Sequence, residues 1–577
     1  GRRRCARPRP RTTDQSHGWL DHPHYRDPTR SVTTVTTTPS RPGKTPATVA
    51  FVGAGPGDPG LLTVRAVELL AEADAVVIDQ IARDQVVARH CRPEVDVVDA
   101  GRGDHGQRLT HAANAKLVVS TARAHKGGLV VRLMDGDPAT FNGLAEEALA
   151  CAKAGVPVEV VPGVSAVSAV PAYAGVPLTT AESSAVHVIA HAGGTKGRAS
   201  TVDPACLDPR STVVVLGSAE ALAAGLAALL EAGRDAGTPV AVTGHGTSVR
   251  QSTAVTTLED ATAAVESAPT PALAVVGPTV DLRQTINWFE SRPLFGWNVL
   301  VPRTKEQSES IDRRLSRYGA ISTVVPTISV EPPRTPQQME RAITGLVTGR
   351  YEWVGFTSVN AVKAVRERFE ALGLDVRSFA GLKVAAVGGV TAQALRDWGL
   401  IPDLVPTGEQ SARGLLEEWP PYDDLLDPIN RILLPRADIA TDTLVAGLVE
   451  MGWEVDDVTA YRTVRAAPPA PEVRDAIKSG AFDAVVFTSS STVRNLVGIA
   501  GKPHTNTVIA CIGPQTAKTA EEHGLRVDVL AAEPSAEVLI DALADHGAAR
   551  AHAAHEAGEQ VRRPSERRSE SRRRARS

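Results

Sequence analysis

The chain has 577 residues, more than a single core organises; at about 150 residues per unit it divides into roughly four. A formal charge of −4 argues against a nucleic-acid-binding class, and no apolar run reaches the roughly 20 residues of a membrane span. Cys5, Cys91, Cys151, Cys206 and Cys511 form no C-x-x-C pair, which excludes a zinc ribbon, an iron–sulfur site and a redox dithiol and fits reduced thiols in the cytoplasm; no metal site is expected.

Residues 1–47 are basic, polar and rich in Pro and Thr, a composition that stays disordered, and they lack the apolar h-region of a secretory signal. The chain starts at Gly1 rather than Met, and intact-mass measurement of native protein is the check on its true N-terminus. The apolar run Val49–Val52 predicts a buried strand. It breaks into Gly53-Ala54-Gly55-Pro56-Gly57-Asp58-Pro59-Gly60, and a helical pattern follows at Leu61, Leu62, Val64, Val67, Leu69 and Leu70. Strand, glycine loop and helix together let a ligand approach bare backbone near a helix N-terminus. A dinucleotide fingerprint fits poorly: Gly53 and Gly55 are present, but Asp58 takes the third glycine position and its carboxylate would repel a pyrophosphate. A tight turn and nothing more is the other reading of the spacing.

Strands and helices alternate from 48 to 290, an α/β pattern with two lobes dividing near Pro162–Pro177. Ser291–Gly296 is a short linker, and a second α/β region runs from Trp297 to about His546. That region echoes itself. Val354–Val362, with Thr357, Ser358 and Asn360, recurs as Val485–Val493, with Thr488 and Ser489. Lys383–Ala392, including Thr391, recurs as Thr507–Ala517, including Gly513, Pro514 and Thr516. Two lobes of like design would each aim hydroxyls and free backbone N–H groups from strand ends, an arrangement suited to a polyanion. One Thr-Ser pair alone is as well explained by N-capping; four such loops favour a ligand. Residues 548–577 end Arg-Arg-Arg-Ala-Arg-Ser and read as a disordered basic tail.

The front region resembles the tetrapyrrole methyltransferases. Its glycine loop is similar to the family's first motif, Val76–Asp79 to its second strand, Asp135-Gly136-Asp137-Pro138 to G-G-D-P, and Pro162-Gly163-Val164-Ser165-Ala166 to P-G-[VI]-[TS]-A. Ala172–Thr179 resembles A-Y-x-G-[VI]-P-L-T, and Pro271–Val276 with Leu282-Arg283 and Asn287-Trp288-Phe289 resembles the end of uroporphyrinogen III C-methyltransferases. The resemblance implies S-adenosylmethionine as cofactor, held by Pro56, Asp135, Gly136, Asp137, Thr140, Ser165, Ala166, Leu216 and Gly246, the last in a late Gly246-Thr247. It implies catalytic roles for Asp79, which on residue type alone serves equally as a cap of the following turn, and for Arg102. The chain departs from the family at Gly101-Arg102-Gly103 (for G-K-R), Asp135 (for Gly), Phe141–Glu147 (for F-G-R-G-G-E-E), Ala190-His191-Ala192 (for T-G-H) and Leu216 (for Met). The fold should survive these changes; rate and substrate choice are what they bear on.

The second region resembles uroporphyrinogen III synthase through the echoed loops, Val301-Pro302-Arg303 and Tyr461-Arg462-Thr463. The family's lobes are joined by two linkers, here Pro326–Pro333 and Val458–Val464, so lobe one spans 297–330 plus 462–546 and lobe two 333–457. The resemblance implies that hydroxymethylbilane, a linear tetrapyrrole polycarboxylate, is cyclised with inversion of its last ring, without a cofactor. Tyr461 would assist loss of water, although an interface tyrosine is the plain alternative. Thr357, Ser358, Asn360, Thr391, Thr488, Ser489, Gly513, Pro514 and Thr516 would line the cleft, and Arg303, Arg436 and Arg462 would meet carboxylates.

The expectation is a cytoplasmic bifunctional enzyme whose synthase makes uroporphyrinogen III and whose methyltransferase methylates it at carbons 2 and 7, giving precorrin-2. Its partners are small tetrapyrroles, not nucleic acid or membrane. The family's methyltransferases are usually dimers, which this sequence neither shows nor excludes. Two alternatives keep the synthase: the front half acts on another tetrapyrrole, or it is a non-catalytic S-adenosylmethionine-binding module.

Overall fold

The computed structural model describes residues 46–79, 83–101, 109–190, 202–303 and 305–567. The expected disorder of 1–45 and 568–577, and Arg102, His191 and Ala192, lie outside the described residues. Four five-stranded sheets organise the described chain.

The first holds β1 (Thr48–Gly53), β2 (Ala75–Ile78), β3 (Asp96–Asp99), β4 (Leu129–Met134) and β5 (Val158–Val161) in the order β3-β2-β4-β1-β5. Every pairing is parallel, so its central strands are covered on both faces and read as unbroken apolar runs. Val49 and Phe51 pack on one face with Val118 and Cys151, while Ala50 and Val52 pack on the other with Leu69, Leu70 and Ile78. Because β1 and β4 are neighbours, the loops leaving their carboxyl ends meet above the sheet.

The second holds β6 (Val186–Ala190), β7 (Thr212–Leu216), β8 (Pro239–Gly244), β9 (Ser252–Thr257) and β10 (Ala272–Val276) in the order β6-β7-β10-β8-β9. It is mixed: β6 and β7 are parallel, and β10 is antiparallel to both β7 and β8. The short helix Ala166–Tyr173, capped by Ser165, leads from the first sheet toward the second, its Val170 and the following Ala174 packing with Val214 and Leu273.

The remaining strands are β11 (Asn298–Val301), β12 (Ile321–Val324), β13 (Ile328–Glu331), β14 (Trp353–Phe356), β15 (Lys383–Ala386), β16 (Arg431–Ala437), β17 (Glu454–Arg465), β18 (Ala484–Phe487), β19 (Val508–Cys511) and β20 (Val529–Leu530). They form two sheets, β12-β11-β18-β19-β20 and β13-β17-β16-β14-β15. The chain leaves the first of these lobes along β13 and returns along β17. The two segments pair antiparallel, Ile328 opposite Arg465 and Glu331 opposite Arg462, so both crossings are strands of one sheet. Along β16, the parallel register of β17 slips between Arg436 and Ala437, which brings Tyr461 rather than Ala460 opposite Ala437. A bulge of this kind re-aims side chains, and here two consecutive residues, Ala460 and Tyr461, are both buried.

The tail expectation needs correction. Residues 548–556 continue a helix, Ala536–Glu556, whose Leu539, Ile540 and Leu543 join the core of the β11 lobe. Beyond it Ser565 N donates to Asp483 Oδ1 at 2.9 Å, and Arg563 donates to Gly296 O. The Ala-rich stretch has high helix propensity, and the arginines of the extreme tail obscured it. Among the described residues no helix is long and apolar enough to cross a membrane. Burial pushes the Cys151 thiol up to about 11 and Cys511 up to about 12, which leaves both protonated and unreactive at neutral pH.

Candidate active sites

Three loops cross above the first sheet. Gly55 and Gly136 form an isolated antiparallel bridge, with Gly55 N to Gly136 O at 3.1 Å and Gly136 N to Gly55 O at 2.8 Å. Gly53 and Gly163 meet backbone to backbone; a Cβ on Gly53 would stand 2.5 Å from Gly163 Cα. Below this crossing opens a cavity of about 230 Å³. Pro56, Asp135, Gly136, Asp137, Thr140, Ser165, Ala166, Leu216 and Gly246, expected apart in the sequence as a cofactor set, all line it.

The loop residues are held by hydrogen bonds that the sequence does not display. Asp137 accepts from Thr140 Oγ1 at 2.5 Å and from Gly163 N at 3.2 Å. Asn142, standing where the family has glycine, donates to the carbonyls of Asp135 and Asp137, so the substitution ties down the Asp135–Pro138 loop; the family's arginine falls at Gly143. Asp58 is fully engaged: Oδ1 accepts from Gly60 N and Oδ2 from Tyr173 Oη, each at 2.8 Å, while its own N–H reaches Thr247 Oγ1 at 3.1 Å. Its carboxylate therefore ties the first loop to the helix Ala166–Tyr173, and its backbone N–H ties that loop to the late Gly246-Thr247 turn. Burial, and then the bond to Asp58, push the Tyr173 phenol well above its ordinary range. Sequence reasoning missed Phe141, Val167, Val170, Thr243, Pro271 and Leu273 as walls, because residues of a loop, a helix and two strand ends carry no local sign that they face one cavity.

Asp79 follows β2 and is not a wall of this cavity, but it adjoins it: Oδ2 accepts from Asp135 N at 3.4 Å. Its Oδ1 lies 2.9 Å from Arg132 Nη1.

In the second region Ser358 and Ser489 cap the helices Val359–Ala371 and Ser490–Ala500, accepting from Ala361 N at 3.1 Å and Thr492 N at 3.3 Å. Capping is thus part of what they do. Ser358 Oγ is also 3.0 Å from Tyr461 Oη, which joins the loop after β14 to the returning strand β17. Thr357, Asn360 and Thr488 are half-buried at the same strand ends. Gly388 and Gly513 cap the helices Gly389–Trp398 and Pro514–Glu522 in extended conformation, without a side chain in the way. Gln410 Oε1 accepts from Gly389 N at 2.9 Å, whereas nothing lies within 4 Å of a Cβ on Gly513.

Three expectations change. Thr391 and Thr516 are buried at 5% exposure, since the first helical turn directs them into the lobe cores, while Val390 and Gln515 beside them face outward. Arg436 is buried and spent: Nε donates to Asp457 Oδ1 at 2.6 Å, Nη2 to its other oxygen, and Nη1 to Thr441 O at 2.6 Å. The Asp457 bonds raise its guanidinium pKa. Arg462 bridges the crossings through Glu331 Oε2 at 2.6 Å and Pro332 O at 3.2 Å. Arg303 lies in the half-buried turn after β11, its pKa lowered by burial. Arg436→Gln is accordingly expected to cost about 1–3 kcal/mol in urea unfolding; the partial exposure of Asp457 keeps the cost below that of a sealed pair.

Comparison with known proteins agrees with this layout. The family model for Tetrapyrrole (Corrin/Porphyrin) Methylases matches residues 48–262, and that for Uroporphyrinogen-III synthase HemD matches 309–541. Porphyrin biosynthesis protein HemD of Ruminiclostridium josui is 30% identical over 507 residues, covering 86% of this chain and 98% of that one. Uroporphyrinogen-III C-methyltransferase of Bacillus subtilis is 31% identical over 369 residues, 63% of this chain and 74% of that one. A siroheme synthase of Yersinia pseudotuberculosis is 37% identical over 246 residues, 42% of this chain; the chain spans about half the length (51%) of that relative.

Proposed function

The chain belongs to the family in which a tetrapyrrole methylase is joined to a uroporphyrinogen-III synthase, and from that premise we propose two consecutive reactions. The synthase half cyclises hydroxymethylbilane to uroporphyrinogen III with inversion of the last ring. The methyltransferase half then methylates that product at carbons 2 and 7, giving precorrin-2. The observation that carries the reading is the convergence of nine motif residues from five separate segments around one cavity.

The cavity suits S-adenosylmethionine in its chemistry. Asp135 and Asp137 supply acidic and backbone groups for a charged amino-acid head, while Leu216, Val170 and Leu273 supply apolar walls for a base. When bound, the cofactor supplies an electrophilic methyl group on a sulfonium. The protein's part is positional: the three crossed loops fix the cofactor, exclude water and hold the pyrrole carbon in line. Transfer leaves a positive charge on the macrocycle, and loss of a ring proton restores neutrality. Asp79, beside Asp135, is the group placed to hold the pyrrole N–H groups or take that proton.

In the synthase half, backbone N–H groups at the helix N-termini and the hydroxyls of Thr357, Ser358, Thr488 and Ser489 would hold substrate carboxylates. Tyr461 would donate to the departing hydroxyl, and orientation of the opened chain selects the inverted attack.

A coupled assay tests both reactions. Hydroxymethylbilane generated in situ with S-adenosylmethionine is expected to yield uroporphyrin III and a species two methyl groups heavier after oxidation, read by mass and isomer analysis. Isomer III with no added methyl group would remove the methyltransferase half of the reading and leave the synthase.

A further inference from the structure

The geometry points to Arg132 and Glu147 as the pair that positions Asp79; this rests on the reading of Asp79 as the group at the reacting macrocycle. Arg132 lies in the middle of β4, opposite Phe51 on one side and Val77 on the other, with Val130, Val131 and Leu133 around it. Its side chain is 1% exposed. A central strand of a parallel sheet has no ordinary use for a guanidinium, whose burial is costly unless its donors are met. Here they are met. Nε and Nη2 grip Glu147 at 2.8 and 3.2 Å, and Nη1 reaches Leu133 O at 3.1 Å and Asp79 Oδ1 at 2.9 Å.

Glu147, on the helix Leu144–Lys153, is wholly buried, so it neutralises Arg132 from behind and touches no substrate. Two carboxylates share one guanidinium, and only Asp79, 19% exposed, reaches the surface. Its second oxygen faces Asp135 N, the first residue of the cofactor loop. Both oxygens are thereby set by β4 and the loop it leads into, which aims the carboxylate at the space beside the cavity. Among the described residues, the other titratable groups around this network are Asp135 on the loop, His111 at the start of the helix His111–Ala124, with Nδ1 4.0 Å from Glu147 Oε1, and Cys151, whose thiol is raised by burial and then by the Glu147 charge.

The sign of the effect follows from charge. Glu147→Gln removes a neighbouring negative charge and leaves the Arg132 cation to Asp79 alone, which favours the Asp79 anion. Carbon-13 NMR titration of labelled Asp79, assigned with Asp79→Asn, is expected to move to lower pH in Glu147→Gln than in the unsubstituted protein. The acid limb of the kcat/KM profile for methylation should fall with it, and S-adenosylhomocysteine affinity should stay unchanged. Arg132→Lys keeps the charge but loses the fork, and a misplaced carboxylate should lower kcat by about tenfold or more, again without loss of cofactor affinity. An Asp79 titration and pH profile that do not move in Glu147→Gln, with kcat intact in Arg132→Lys, would overturn the inference and leave a purely structural ion pair. The NMR titration does not depend on turnover, so wild-type protein that fails to methylate uroporphyrinogen III would defeat the functional reading while the titration still judges the positioning.

Discussion

Gly163→Ala is expected to abolish binding of S-adenosylhomocysteine while hydroxymethylbilane cyclisation persists. A Cβ at this position would collide with Gly136 O and stand 2.7 Å from Gly53 Cα. The obstructing atoms are backbone, with no flexible side-chain end to swing away. Gly136 is itself bridged to Gly55, so relief on one side displaces the next loop. The cavity walls Pro56, Asp135, Asp137, Ser165 and Ala166 hang from these three loops, and parting the loops by about 1 Å spoils their convergence. The expected loss by calorimetric titration is about 100-fold or more, near 3 kcal/mol. Cyclisation measured on the same preparation checks the synthase half, and far-UV circular dichroism with the unsubstituted thermal transition checks that the half carrying Gly163 has folded. Gly513→Ala is the contrast: its φ of −176° is ordinary extended backbone and a Cβ there meets nothing within 4 Å, so it should be tolerated. Cofactor affinity retained in Gly163→Ala would mean that the crossing does not shape the cavity.

The cofactor cavity was legible because each motif sits where a strand of a parallel sheet ends, and such ends gather on one side of the sheet whatever their order in the chain. The echoed Thr-Ser loops were legible for the same reason. What stayed hidden depended on partners set by register. Arg436 looked like a substrate arginine until the parallel pairing of β16 with β17 brought Asp457 beside it. Asp58 read as a charge that would repel a ligand, yet Tyr173, 115 positions on, takes up one of its oxygens. Arg132 and Glu147 were visible only as letters of two motifs; that they share one buried pair follows from the helix Leu144–Lys153 packing against β4, which no local pattern encodes.

The departures from the family pattern divide along the same line. Asn142 for glycine explains itself, since it clamps the carbonyls of Asp135 and Asp137 within the loop it belongs to. Leu216 keeps an apolar wall where the family has methionine, a change of shape more than of chemistry. Replacing glycine by Asp135 adds a charge to the cavity wall, and nothing in the structure explains it, since the N–H that meets Asp79 belongs to the backbone.

Tyr461→Phe should lower kcat for cyclisation by about 100-fold, the scale of losing one well-placed proton donor. The ring itself is 7% exposed and packs in the β14 lobe core, so phenylalanine keeps its contacts, and the missing hydrogen bond to Ser358 costs only about 1 kcal/mol of stability. Rate and stability are thereby separated by one atom. The product should report the same defect, because bilane that is bound poorly or released closes unaided without inversion, and the share of isomer I should rise by chromatography of the oxidised porphyrins. Ser358→Ala probes the other end of the bond. It removes the cap of the helix Val359–Ala371, at about 1 kcal/mol, and frees Tyr461 to turn, so kcat should fall less than in Tyr461→Phe. The phenol owes this position to the register slip along β16, because regular pairing would put Ala460 opposite Ala437 and turn Tyr461 to the other face, away from Ser358. A Tyr461→Phe enzyme with wild-type kcat and isomer ratio would reduce the tyrosine to packing, and the bulge to an accident of the crossing.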